Sequence, residues 1–600
     1  MIKLLTGLIL IVIPFLLVNL FEDKKKGFFY ILSCLIGFHL IISLLTQFFH
    51  FFSYNILLLV YVLLDIVIII YYYQKDAKFF KLKFSFKNIK IDWMLVLVLI
   101  ILIIGLGSVH FNYTGKISTI NGIRDVNNVR IIYPYYSDEW SAISLVNYVF
   151  ENNSLPLKNS LIGEGSFMNF ELGFHSFIAG IMLFLGLTPI TDYVFLSLFF
   201  GILICILVYF ILRINGIGKL NSGIACLLIP FIVNGSNLPG IWYLLPVTIG
   251  LVCMLLGYLF ISMNEKKASV FISLLVLLFY PPLFVFYTLS LIFFILFTNF
   301  TKREKLVYFS IYFGICLLVA FILSIKVLFE KDFSFFNTAS YIFSKLIYST
   351  YTENAIPDYS IWKVIPILIL TVSIVGIFSR FFDRKKYWLL MPIFIGLIFW
   401  VVYSFSLFRF IIEYQRVVFV VSILIVCFSG FGLDFLESKF KNKYFKEYNM
   451  FFILQLLILV VIFLFSFFYT SFNNWEDLKL NYLSTNQLIS PNAPANTYLI
   501  EDDLILFKEI NKKRFLSLPW KGLVIGSATG NYPLDSKDST LTVSIVDYAY
   551  FINSNCSIKK ELALNHKIDF VYSIPFFCED YFEFVGKSPE NMHLYRFIDR

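Results

Sequence analysis

The sequence predicts an all-α polytopic membrane protein of about fourteen transmembrane helices, with a large outer loop and a small C-terminal α/β domain outside the membrane. Three observations predict it. The 600 residues are 59% hydrophobic and 14% charged, with mean hydropathy +0.81, too apolar for a soluble chain to cover its surface. Uncharged runs such as MLVLVLIILIIGLG (94–107) and MFFILQLLILVVIFLFSFFY (450–469) are about the length of a helix crossing roughly 30 Å of hydrocarbon. Beyond residue 473 apolar content drops and charge returns.

The candidate spans run, in order, at 4–21, 28–47, 55–73, 93–111, 191–212, 220–234, 240–263, 268–280, 283–300, 305–328, 361–379, 388–408, 412–434 and 450–471. The first is read as a retained helix, because it has no small-residue cleavage site and EDKKKG leads into another apolar run. The pair flanking YPP (280–282) is short, and is either one kinked segment or a shallow hairpin. Backbone freed by two prolines there has to face protein or water.

Lysines orient the spans. Seven loops, including EDKKKG, QKDAKFFKLKFSFKNIK and ESKFKNKYFKE, hold 24 of the 48 Lys and Arg, whereas the short connections between them, such as TQFFHFFSYN and NGSNLPG, hold none. One alternation satisfies this if 112–190, 329–360 and 473–600 lie outside. The chain is then a multi-pass protein of the plasma or inner membrane. Its net charge of +9 faces anionic lipid at the cytoplasmic loops, and no outer basic patch suits nucleic acid. Only Cys556 and Cys578 fall in the outer C-terminal segment, where a disulfide is permitted; the sequence leaves that pairing open.

The membrane domain is assigned to 1–472 and the C-terminal domain to 473–600. Within the outer loop 112–190, Ser141 to Phe150 has helical spacing, and GSFMNFELGFHSFIAGIMLFLGLTP is an apolar piece that charge parity keeps from crossing fully; it is expected to lie along or dip into the outer interface. NQLISPNAPANT reads as a linker. Beyond it EDDLILFKEINKKR has helical periodicity, GLVIGS, DFVYSI and MHLYRFI read as strands, and GSATGNYP reads as a turn.

In this setting the stretch YPYYSDEWSAISLVNYV (133–149) stands out. Asp138 and Glu139 suit a helix N-terminus, which favours negative charge. One acid suffices for that, and two beside Trp140 and Tyr136 suit an external pocket with carboxylates for proton transfer. The pair can also hold a divalent cation, although its spacing is no metal signature. FRFIIEYQR (408–416) puts Arg409, Glu413 and Arg416 at the outer end of one helix, and the two arginines are the only basic residues in that short outer connection. They are either an interfacial ion pair or a grip on a lipid-linked phosphate, for which guanidinium geometry is suited. Glu171 and His175 share a helical face, Asp358 and Glu353 lie in the second outer segment, and Asp65 is an acid inside a span.

PYYSDEWSAISLVNYVFENNSLPLKN followed by NFELGFHSFIAGIMLFLGLTP resembles the first outer loop of GT-C glycosyltransferases, the superfamily of protein O-mannosyltransferases, oligosaccharyltransferases and lipid-A aminoarabinose transferases. The resemblance implies a sugar donor linked to polyprenyl phosphate and an acceptor that is a glycan, lipid or protein. Asp138 would be the general base with Glu139 as alternate, and Arg416 or Arg409, with Glu413 beside them, would meet the donor phosphate. Trp140, Tyr136, His175, Glu171 and Asp358 would line the pocket. The chain departs from the family in carrying three spans and a basic loop before the span that leads to the acidic loop, and it lacks the tryptophan-rich sequon-binding signature. Two rival readings are an O-antigen-type polysaccharide polymerase or ligase, which typically relies on arginines in a late outer loop, and a lipid or polysaccharide transporter, which predicts repeated halves.

Overall fold

The computed structural model describes residues 2–75, 92–111, 116–119, 122–125, 131–132, 137–157, 161, 169, 171–232, 241, 243–297, 301–329, 361–381, 387–405, 414–443, 457, 499–534, 546–588 and 592–598. Helix forms at every expected span from 4–21 to 412–434, because an apolar segment away from water must pair its own backbone groups. The helices are α1 (Ile2–Val12), extended by a 3-10 segment over Ile13–Leu20, α2 (Lys24–Phe48), α3 (Tyr54–Lys75) and α4 (Trp93–Phe111). Next come α5 (Ser137–Asn152), α6 (Leu172–Leu185), α7 (Pro189–Ile214), α8 (Lys219–Leu228), α9 (Pro246–Ser262), α10 (Lys266–Phe279), α11 (Pro281–Phe297) and α12 (Lys302–Phe329). After them come α13 (Ile361–Val364), α14 (Ile367–Phe381), α15 (Tyr387–Phe405), α16 (Tyr414–Cys427) and α17 (Ser429–Lys443).

Among the described residues, five stretches are long and apolar enough to cross a membrane: Ile2–Leu20, Lys24–Phe48, Tyr54–Gln74, Pro189–Ile214 and Arg416–Lys439. Shorter apolar helices, among them Trp93–Gly107 and Pro246–Ser262, fill out the bundle, and the expected span 450–471 lies almost entirely outside the described residues. The YPP segment is a hairpin turn between α10 and α11.

α7 defines the two ends of the bundle. Near its start Ser197 meets α5; about three turns later the Tyr209 hydroxyl donates to Asp92 Oδ2 at 2.9 Å, beside Lys219 at 3.4 Å. At that lysine-rich end Lys26 pairs with Glu265 at 2.8 Å and Tyr30 donates to the same carboxylate at 2.6 Å. Burial pushes the Glu265 carboxyl up, but these two bonds outweigh it and leave its pKa below the usual range.

The 14 residues of α6 rise about 21 Å, short of a crossing, as charge parity requires. Within the protein it is enclosed by other helices. Nearly every side chain of α6 is buried, packed against α1, α2, α5 and α10, and Gln47 Nε2 of α2 donates to its Ser176 carbonyl at 3.1 Å. A helix apolar on all sides has no polar face to offer water and is enclosed instead.

The C-terminal sheet has order β6-β5-β7-β9-β8, with β5 (Arg514–Ser517) parallel to β6 (Tyr532–Pro533) and β7 (Phe570–Ser573), and β9 (His593–Phe597) antiparallel to β7 and β8 (Phe582–Lys587). The strands expected at DFVYSI and MHLYRFI are β7 and β9. GLVIGS is not a strand: it lies in α19 (Pro519–Thr529), which follows α18 (Glu501–Leu506). Pro519 in the first turn and left-handed Gly530 (φ 71) at the C-cap start and stop that helix. The true strand is Arg514–Ser517, in the stretch just before it. Inside the domain Lys521 and Asp503 form a fully buried ion pair at 2.6 Å, joined by the Tyr572 hydroxyl. Cys556 and Cys578 are bridged, with Cα atoms 5.5 Å apart.

The domain docks on α5. α19 packs along α5, where Asn147 Nδ2 donates to the Ser527 carbonyl at 2.8 Å. Strands β1 (Lys116–Thr119) and β2 (Gly122–Asp125) pair antiparallel, as do β3 (Ile131–Ile132) and β4 (Leu499–Ile500).

Candidate active site

Both acids lie in the first turn of α5, and consecutive helical residues point about 100° apart. That rotation separates their surroundings. Asp138 Oδ2 accepts from Arg416 Nη2 at 2.8 Å, with the side chains 31% and 14% exposed. Arg416 sits in the first turn of α16, so the contact ties α5 to a helix 278 residues away in sequence.

Glu139 turns inward and is buried. Its Oε1 accepts from Ser197 Oγ of α7 and from the Leu244 main-chain N–H, both at 2.9 Å. The Tyr193 hydroxyl donates to the Leu244 carbonyl at 2.8 Å. The Leu244 peptide, just ahead of α9, is therefore held by α5 on one side and α7 on the other.

The site thus pairs a half-buried carboxylate with a guanidinium on a rigid support. A guanidinium carries five N–H donors, more than one carboxylate oxygen takes. A carboxylate that solvent reaches can accept a proton. Among the described residues no group of three or more His, Cys, Asp or Glu side chains is placed to hold a metal ion.

The other expected site residues divide. Trp140 is fully buried and packs in the core beside α5. His175 is also buried, and its Nδ1 lies 3.0 Å from the Glu171 carbonyl oxygen and 3.1 Å from Asn169 Nδ2. Glu171 is the N-cap residue of α6, just outside the helix, and the histidine meets its main chain. Asn169 Oδ1 in turn accepts from the Glu171 N–H at 3.0 Å, so this group shapes the start of α6. Asp65 is buried on α3, away from α5, one turn from Tyr61, whose hydroxyl lies 2.9 Å from His39 Nδ1. Tyr136, Asp358, Arg409 and Glu413 lie outside the described residues. Ser197, Tyr193 and the Leu244 N–H were not anticipated; a serine and a tyrosine inside an apolar run carry no signal that sets them apart.

No family model matches the chain, and no curated protein matches it in sequence. Solved structures do. ArnT from Cupriavidus metallidurans in the apo state is 11% identical, with 84% of this chain and 97% of that one covered at a TM-score of 0.50. The Archaeoglobus fulgidus oligosaccharyltransferase, tethered with an acceptor peptide containing the NVT sequon, is 14% identical, covering 85% and 74% at a TM-score of 0.44. The archaeal oligosaccharyltransferase AglB from Archaeoglobus fulgidus, in complex with an inhibitory peptide and a dolichol-phosphate, is 13% identical, covering 82% and 70% at a TM-score of 0.41. The ArnT likeness shows the fold: this chain shares the overall architecture of that structure.

Proposed function

We propose that the protein is an integral-membrane glycosyltransferase that moves a hexosyl or pentosyl unit from a polyprenyl-phosphate donor to a glycan, lipid or protein acceptor on the outer face of the cell membrane. The observation that carries this reading is the contact of Asp138 with Arg416 on an ArnT-like fold. A general base and a phosphate-binding group within one site are what such a transfer requires.

In this reading Asp138 accepts the proton of the acceptor hydroxyl. The hydroxyl oxygen forms a bond to the sugar's anomeric carbon from the face opposite the phosphate. The carbon–oxygen bond to phosphate breaks, and its electron pair leaves on the phosphate, whose charge Arg416 meets. One displacement inverts the anomeric configuration. Arg409 and Glu413, on the same predicted helix, extend the phosphate side. Glu139, with Oε1 already accepting two hydrogen bonds, supports α5 rather than acting as base. A divalent cation is not required by these steps. The Cys556–Cys578 bridge, in the domain docked on α5, supports an oxidising, extracytoplasmic side for the site.

Mass spectrometry of lipid co-purifying with the protein tests the donor, and a polyprenyl phosphate or its glycoside is expected. Asp138→Asn should lower transfer by about 10²–10⁴-fold, the usual loss on removing a general base, without loss of folded protein. Normal transfer with a slightly lower melting temperature would return the acid to helix capping, worth only about 1 kcal/mol.

A further inference from the structure

We propose that the donor phosphate itself unmasks the base: without donor, Arg416 holds Asp138, and a phosphate arriving at Arg416 takes over its N–H groups and frees Asp138 for the acceptor. This rests on the reading that Arg416 receives the donor phosphate.

Three observations carry it. The residues assigned to opposite ends of the reaction are in direct contact at 2.8 Å, and a carboxylate that accepts a charge-assisted bond from guanidinium is a weaker base than a free one. The pair is also open to a ligand, with Asp138 31% and Arg416 14% exposed. Finally, Asp138 cannot follow a displaced guanidinium far. Its neighbour Glu139 is tied to Ser197 and Leu244, and α5 is pinned further along by Asn147 on Ser527. The exchange therefore falls to the arginine side chain, which is long and jointed. A phosphate monoester or diester oxygen matches the guanidinium fork as well as a carboxylate does. The device orders the reaction: a bound acceptor meets an active base only once the donor is seated.

Competition for one arginine has a signature in binding. Asp138→Asn removes the competitor, so the variant that loses transfer should bind donor more tightly. The measurement is affinity for a polyprenyl monophosphate, against the free polyprenol of equal length, using full-length protein in nanodiscs. Asp138→Asn should tighten the phosphate by about fivefold, the scale of a partly exposed ion pair, and leave the alcohol unchanged. In an Arg416→Ala background the same substitution should change nothing. Equal tightening in both backgrounds would mean plain repulsion between carboxylate and phosphate and would overturn the exchange, as would no tightening at all. If Arg416→Ala alone left phosphate affinity intact, the donor reading of Arg416 would fall before the exchange was reached. Arg416→Lys, which keeps charge and loses the fork, covers the case of an unfolded alanine variant: the Asp138→Asn gain should shrink there as well.

Discussion

Asp138 and Glu139 are adjacent and carry the same charge, yet one helical step gives them different partners. Asp138 meets an arginine at a partly open surface. Glu139 is enclosed by a serine 58 residues away and a backbone N–H 105 residues away. Removing the Glu139 acceptor leaves the Leu244 N–H buried without it, at a cost of about 1–3 kcal/mol. Glu139→Ala should therefore lower the melting temperature, followed by intrinsic fluorescence. Glu139→Gln keeps an oxygen in place and should retain both stability and transfer within about tenfold. A loss on Glu139→Gln as large as the roughly 10²–10⁴-fold expected for a general base would exchange the roles of the two acids. The sequence singled out the two acids and both Arg409 and Arg416, because two acids beside aromatics and basic residues on a lysine-free face are unusual locally. It could not assign their surroundings, since every partner comes from a distant segment. His175 fails in the same way: its spacing from Glu171 was right, but spacing does not say whether the ring meets a carboxylate or a carbonyl.

Elements were legible where their signal was periodic or chemical, and illegible where it was a bare apolar run. Spans, the α5 helix and two of the sheet strands followed from period and length. GLVIGS misled because β-branched residues suit a strand in isolation, while Pro519 and Gly530 at its flanks frame a helix. Helix contacts depend on small residues that composition does not flag. Gly376 of α14 and Gly432 of α17 let the two backbones touch: a Cβ at Gly376 would run into the Phe428 carbonyl, and one at Gly432 into the Val372 carbonyl. Gly376→Ala should thus reduce the fraction of monodisperse protein surviving heating. Gly314→Ala on α12, with no neighbour within 4 Å, should be neutral or gain up to about 1 kcal/mol from helix propensity. Equal behaviour of the two would show that the α14–α17 contact is not tight. In the C-terminal sheet domain the buried pair offers a further case. Lys521→Met strands Asp503 as an uncompensated charge and should cost about 3–5 kcal/mol, read as a lower urea midpoint.

At the scale of the whole molecule, the two ends of the bundle are chemically unlike, and that asymmetry connects orientation to mechanism. Lysines and their acid partners gather at one end, with Glu265 taking Lys26 and Tyr30, and Asp92 taking Lys219 and Tyr209. At the other end are Asp138, Arg416 and the disulfide-bearing domain docked on α5. On the proposed reading the positive loops are cytoplasmic, and a donor carried by a polyprenyl lipid would present its sugar at the far side. The test uses exposed positions away from the site: Glu561 in the C-terminal domain and Lys439 near the end of α17. Cysteine at each is placed in a background whose membrane thiols, including exposed Cys34, are replaced. A membrane-impermeant maleimide added to whole cells should label Glu561→Cys at once and Lys439→Cys only after permeabilisation. The reverse order would move the site to the cytoplasm, where the Cys556–Cys578 bridge would not persist and where an Asp138 base would act on cytoplasmic acceptors.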